Sequence, residues 1–339
     1  MKIKQFDFNL PKELIAQHPS YKRDHSKLLV ANYQDKSYAH KNFFEIIDYL
    51  SENDVLVVNE TKVLPARLIG IKAETDAVVE VLLLKSTEKD IWHSLTKPAK
   101  RVKIGTIVQF GDQLKMICTK VLDEGIRVFK LVYEGVFLEV LQKLGTMPLP
   151  PYITEKLANP ERYQTVYAKE LGSAAAPTAG LHFTPTLLKK IKAKGVHVIP
   201  IVLHIGLGTF KPVSEDNVLL HKMHEEVYTI TPKSANLLNQ AVKDQKRIIC
   251  VGTTSLRALE SNYKEQFYPG TFSTDIFIYP GYQFKVVKNL ITNFHLPKST
   301  LVMLVSALTS VDFIQKAYHE AIINKYRFFS FGDSMFISS

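Results

Sequence analysis

His221-Lys222-Met223-His224-Glu225-Glu226 is the densest run of titratable side chains in the chain. Two histidines three apart with carboxylates beside them supply an acid–base set, part of a metal site, or a solvated helix face. Helical spacing puts His221 beside His224 and Glu225, so a metal would need a further ligand, and the pattern is not that of a zincin. Gly252-Thr253-Thr254-Ser255-Leu256-Arg257 turns from an apolar strand into a helix. Its free N–H groups suit a carboxylate or phosphate, and Arg257 adds a bidentate donor; the plainer reading is a well-capped helix. The triphosphate-loop Gly-Lys-Ser/Thr ending is missing. In Ala176-Pro177-Thr178-Ala179-Gly180-Leu181-His182-Phe183, small residues let a ligand approach the backbone and His182 adds a donor or acceptor. His204-Ile205-Gly206-Leu207-Gly208-Thr209-Phe210 has two glycines after an apolar strand, a wall for an adenosine-sized ligand, but Lys211 replaces the third glycine of a dinucleotide fingerprint. Asp275 precedes an apolar run and, if buried there, needs a partner.

The elements that must position these groups read as α/β. Asp54-Val55-Leu56-Val57-Val58 is fit for a buried strand, and Phe43 to Leu50 has helical spacing. From Ala66 to about Leu144, short β-rich runs alternate with Gly and Asp turns, which predicts a small barrel or sandwich. After Met147-Pro148-Leu149-Pro150-Pro151 the α/β rhythm returns. Thr184-Pro185 opens a helix, Val196 to Ile205 is a strand, and Thr231-Pro232 opens a second helix to about Lys243. Strands over Arg247 to Val251 and Ile276 to Tyr279 and a helix from Ser299 follow. The expected organisation is an α/β domain over residues 1–65 and 147–339, barrel-like, with a small β-barrel domain over 66–146 inserted into it.

Lys and Arg number 43 against 33 Asp and Glu, a net charge of +10, which favours a polyanion partner without requiring one. Candidate phosphate contacts are Lys97, Lys100 and Arg101 in the β block, with Lys62, Arg67, His295, Lys298 and Arg327 elsewhere. Two cysteines exclude a disulfide scaffold and a Cys-based zinc site. No apolar run approaches the roughly 18 residues of a membrane span, and Asp7 and Pro11 interrupt any signal-peptide core. A soluble cytoplasmic protein is expected, without membrane association.

Taken in order, these segments resemble the S-adenosylmethionine:tRNA ribosyltransferase-isomerase family of queuosine biosynthesis. The matching stretches include Phe6-Asp7-Phe8, Asn59 to Leu68, Met147 to Ile153, Tyr163 to Ala168 and Ala176 to Phe183. His204 to Phe210, His221 to Glu226, Gly252 to Glu260, Thr274 to Tyr282, Thr292 to Ser306 and Arg327 to Asp333 complete the series. Glu60 departs from the family's usual Asp, Glu225 from a common Ser and Ala174 from a common Val. The resemblance implies a transferase that consumes S-adenosylmethionine as a substrate, with no separate cofactor or metal. Its ribosyl group passes to a 7-aminomethyl-7-deazaguanine base at the tRNA wobble position, giving epoxyqueuosine-tRNA, adenine and methionine. Such chemistry needs a base beside the sulfonium and an acid to protonate departing adenine. On the matched motifs, His224 and Glu226 are the expected acid–base pair, then Asp275, with His182 as an adenine-side donor. Thr178, Ala179, Gly180, Gly206, Gly208 and Thr209 would wall the adenosine; Gly252, Thr253, Thr254 and Arg257 would hold the methionine carboxylate. The family is commonly monomeric, and a monomer is expected.

Overall fold

The computed structural model describes residues 1–206 and 216–339. The chain divides into two compact units, one of residues 1–62, 150–170 and 176–339, the other of 63–149 and 171–175. The second unit thus takes in a short return segment, 171–175, that lies outside the 66–146 span expected from sequence.

Five segments of apolar sequence form the middle of the larger unit's sheet. Its nine strands lie in the order Gly270–Thr274, Glu226–Ile230, His197–Leu203, Asp54–Asn59, Arg247–Val251, Asn289–Asn293, Ser334–Ser338, Lys27–Asn32 and Ser37–Asn42. The four from His197–Leu203 to Asn289–Asn293 run parallel. Asp54–Asn59 and Asn289–Asn293 are buried at every position, which explains the unbroken apolar run Val55 to Val58 in the first. Thr184 and Thr231 cap the helices Pro185–Ala193 and Pro232–Lys243 through their hydroxyls, each followed by a proline at the first helical position. The strand expected over Ile276 to Tyr279 does not form; the pairing falls earlier, at Gly270–Thr274, against Glu226–Ile230. Phe43–Tyr49 winds as a 3₁₀ helix that buries Phe43 and Ile46.

Buried charge anchors this unit at two places. Asp54 accepts from Arg247 Nε at 2.7 Å and Nη2 at 2.8 Å, tying two neighbouring strands together at their amino ends. Glu260, on the helix Thr253–Asn262, is fully buried and accepts from the Tyr282 hydroxyl and the backbone N–H groups of Lys285, Val286 and Val287 at 2.8–3.1 Å. Glu260→Gln turns an amide donor toward some of these donors, so the variant should lose about 2 kcal/mol of stability, measurable by urea unfolding.

The smaller unit is a closed six-stranded barrel in the order Ile126–Tyr133, Ile91–Lys97, Val78–Glu88, Arg67–Lys72, Ile107–Phe110 and Leu114–Val121. Alternating burial sends Leu68, Val79, Val81, Val108 and Met116 inward. A Cβ on Gly70 would stand 2.6 Å from the Phe110 ring, so glycine there lets the ring lie against the backbone.

Candidate active site

A cleft, partly open to solvent, lies at the carboxyl ends of the parallel strands. That is where an α/β sheet offers converging loops and helix starts. Ile205 enters it after His197–Leu203, Gly252 to Thr254 after Arg247–Val251, and Thr292 to Leu296 from the end of Asn289–Asn293. Ala176 to Ala179, Tyr152, Phe329 and Ser330 complete much of the wall. Gly252 adopts φ +88°, a conformation that suits glycine, as the chain turns from strand into helix. Asn59 braces the floor: its amide donates to Leu203 C=O at 2.9 Å and its carbonyl accepts from the N–H groups of Leu203 and Thr61.

Asn293 is the cleft's most organised polar group. Its Oδ1 accepts from the Thr178 hydroxyl at 3.1 Å. Its Nδ2 donates to Phe329 C=O at 3.1 Å and meets His182 Nε2 at 3.2 Å. His182 Nδ1 in turn meets the Ser26 hydroxyl at 2.7 Å. With Asn293 donating, His182 accepts at Nε2 and carries its proton on Nδ1. Burial, with the charges of Arg327 and Arg23, pushes the His182 pKa down to about 3. Across the cleft, His295 meets the Thr292 hydroxyl through Nε2 at 3.0 Å, and burial pushes its pKa down to about 3 as well. Burial also raises the Tyr152 phenol to about 12; its hydroxyl lies 2.5 Å from Ser330 Oγ.

Of the residues expected to wall the adenosine and hold the carboxylate, Thr178, Ala179, Gly252, Thr253 and Thr254 line this cleft. Other expected residues are placed differently. Gly180 packs behind the wall, where a Cβ would fall 2.1 Å from the Tyr167 hydroxyl. His182 is also behind it, reaching the cleft through Asn293 rather than directly. The Gly206 N–H donates to Glu226 Oε1 at 3.2 Å, and Glu226 Oε2 pairs with Arg257 Nη1. Both pair members are buried; Arg257 Nε also donates to Ile276 C=O at 3.3 Å, and its Nη2 is buried with no hydrogen-bond partner. Gly208 and Thr209 lie outside the described residues.

Residues 221–225 are irregular rather than helical, and the next strand starts at Glu226, so the side-by-side placement of His221 and His224 does not hold. His221 packs edge-on against Phe277 and His224 is exposed. Asp275 is exposed too, because the paired strand ends at Thr274; it needs no buried partner. Among the described residues no three His, Cys, Asp or Glu side chains come together as a metal site.

Of the expected phosphate contacts, Lys97, Lys100 and Arg101 are exposed on the barrel unit. Lys62 and Arg67 are half-buried, Arg67 with its Nε 3.4 Å from Glu80. Lys298 is exposed and pairs with Asp7 at 2.9 Å. Arg327 is held by Asp333 at 3.1 Å and by His18 C=O. His295 is corrected outright: buried and neutral, it belongs to the cleft and offers no positive charge to RNA. Asn59, Tyr152, Asn293 and Ser330 are site residues that the sequence analysis missed. The available signal was an asparagine closing each of two segments with an apolar middle, Asp54–Asn59 and Asn289–Asn293.

Fold and cleft together define an α/β protein with a ligand-sized site at its strand ends and an accessory six-stranded barrel. Residues 3–337 match the family described as queuosine biosynthesis protein, and the chain belongs to that family. Its structure is similar to that of an S-adenosylmethionine tRNA ribosyltransferase from Thermotoga maritima, at 36% identity over 98% of this chain and 99% of that one, with a TM-score of 0.56.

Proposed function

We propose that the protein transfers and isomerises the ribosyl group of S-adenosylmethionine onto 7-aminomethyl-7-deazaguanine at the wobble position of tRNA. The products are epoxyqueuosine-tRNA, adenine and methionine. The observation that carries this reading is the cleft itself, walled by small residues and hydroxyls at the strand ends of a queuosine-family chain. The first-turn N–H groups and hydroxyls of Thr253 and Thr254 suit the methionine carboxylate. Asn293 Oδ1 keeps a lone pair beyond its Thr178 bond and suits the adenine amino group. Phe294 and Phe329 supply apolar surface for the purine. In this reading Glu226 and Arg257 are positioning residues that fix Gly206 and the helix start, while His224 and Asp275 are left as the exposed proton-transfer groups. We read the protein as a cytoplasmic monomer. The test is transfer of label from S-adenosylmethionine carrying labelled ribose to tRNA bearing the precursor base, with adenine release in equal amount; release without labelled tRNA would overturn the proposal.

For tRNA grip, Lys97, Lys100 and Arg101 are the most available cations of the barrel unit. Reversing all three charges should raise the tRNA KM roughly tenfold or more and flatten its salt dependence, leaving S-adenosylmethionine affinity unchanged. Steady-state kinetics at several salt concentrations measure this, and unaltered tRNA kinetics would remove the three residues from the interface.

A further inference from the structure

A second, small pocket, partly open to solvent, lies in the larger unit, bounded by Ser20, Arg23, Ser26, Arg162, His182 and Ser330 among others. Arg23 donates to the carbonyls of Leu181 and Glu161 at 3.1 and 2.9 Å. Arg162 donates to those of Tyr21 and Ser20 at 3.1 and 2.6 Å. The carbonyls fix both guanidinium groups in place without neutralising them. Neither arginine has a carboxylate within salt-bridge distance among the described residues, and Arg162 Nε is buried without a hydrogen-bond partner. Of the nearby acids, Asp24 takes the Thr184 hydroxyl at 2.9 Å and Glu161 is exposed. Two like charges partly removed from water and facing one space are stabilised by an anion placed there. Burial, and then the charge of Arg162, lower the Arg23 pKa, an effect that the Glu161 carboxylate partly offsets.

Two further features indicate what kind of anion. Tyr21, on the loop that contributes Ser20 and Arg23, is 92% exposed, and Lys22 beside it is exposed as well. The Tyr21 carbonyl holds Arg162 while its ring stands out in water, and an exposed aromatic ring and guanidinium groups on one loop suit single-stranded RNA, by stacking on a base and ion pairing with a phosphate. Ser330 lines both this cavity and the catalytic cleft, so the two are one side chain apart. A nucleotide held in the cleft would therefore carry its neighbouring phosphodiester to the arginines.

We propose that Arg23 and Arg162 form a phosphodiester site for the anticodon-loop nucleotide next to the one being modified, with Tyr21 as the stacking platform for its base. This rests on the tRNA-modifying reading above and specifies where the RNA strand passes. The experiment uses the full-length enzyme and an anticodon stem-loop RNA carrying the precursor base, with S-adenosylmethionine and inorganic phosphate as separate probes. Tyr21→Ala should weaken RNA binding about tenfold with an unchanged melting temperature, and Tyr21→Phe should restore it. Arg162→Gln should weaken RNA binding about five- to tenfold, lower the salt slope by roughly one, and leave S-adenosylmethionine affinity as it was. Should Arg162→Gln fold poorly, the exposed Tyr21 pair still decides. Phosphate should compete weakly with RNA in the wild type and less in Arg162→Gln. RNA affinity unchanged in both Tyr21→Ala and Arg162→Gln overturns the site while leaving the function intact. Loss of S-adenosylmethionine affinity in place of RNA affinity also overturns it, by assigning the arginines to the methionine carboxylate. A wild type that binds no such RNA overturns both readings.

Discussion

Arg257→Met should cost about 3–5 kcal/mol of stability, Glu226→Leu a similar amount, and the two together far less than their sum. The pair is almost entirely shielded, with side-chain exposures of 5% and 4%. Removing the arginine takes the counter-charge from a buried carboxylate that also accepts from the Gly206 N–H, and removing the glutamate leaves a buried guanidinium whose Nε donates to Ile276 C=O at 3.3 Å and whose Nη2 has no hydrogen-bond partner. Either charge, buried without its counter-charge, carries a desolvation cost that two apolar side chains of similar volume do not. Urea midpoints of the two single variants and the double variant measure this coupling. The opposite pattern, single variants as stable as the wild type but inactive, would return Glu226 to the role of a free general base and Arg257 to that of a substrate clamp.

The same pair shows where sequence reading succeeded and where it stopped. The strand Asp54–Asn59 was legible because burial on both faces leaves a continuous apolar run, whereas the equally buried Asn289–Asn293 and Ser334–Ser338, broken by polar residues, were not marked; helices were legible where Thr-Pro marks the first turn, as at Thr184 and Thr231. The barrel was legible because its runs alternate with Gly and Asp turns at regular spacing. Charged and polar groups were harder. Glu226 and Arg257 were both recognised as important, but nothing local in sequence says that residues 31 positions apart neutralise each other. His221 and His224 satisfy a helical spacing in a segment whose backbone is not helical, so the periodicity argument had no helix to act on. His182 and His295 lie in motifs that do build the cleft, yet one-dimensional spacing cannot distinguish a histidine that faces a ligand from one that braces its neighbour. Asn293 acquires its place through Thr178, 115 residues away.

Acidification should therefore destabilise the protein steeply below neutral pH. Both buried histidines have folded pKa values near 3, against an ordinary value near 6.5 in the unfolded chain. Below about 6.5 the unfolded state takes up a proton at each that the folded state refuses, so stability is fully present above that pH and falls as pH drops toward 3. Each histidine contributes up to about 1.4 kcal/mol per pH unit, the two together approaching 2.7 near pH 5. A typical margin of roughly 5–15 kcal/mol would be largely consumed within a few units. Urea unfolding at pH 7.5, 6 and 5 measures the slope, and His295→Gln, which keeps a hydrogen-bonding group near Thr292, should remove about half of it. An unaltered slope in both His295→Gln and His182→Asn would show that these rings are protonated in the fold. Neutral rings at both positions also constrain the chemistry. Buried and neutral, neither ring is a ready proton donor near pH 7, and under the proposed function that leaves proton transfer to the exposed His224 and Asp275.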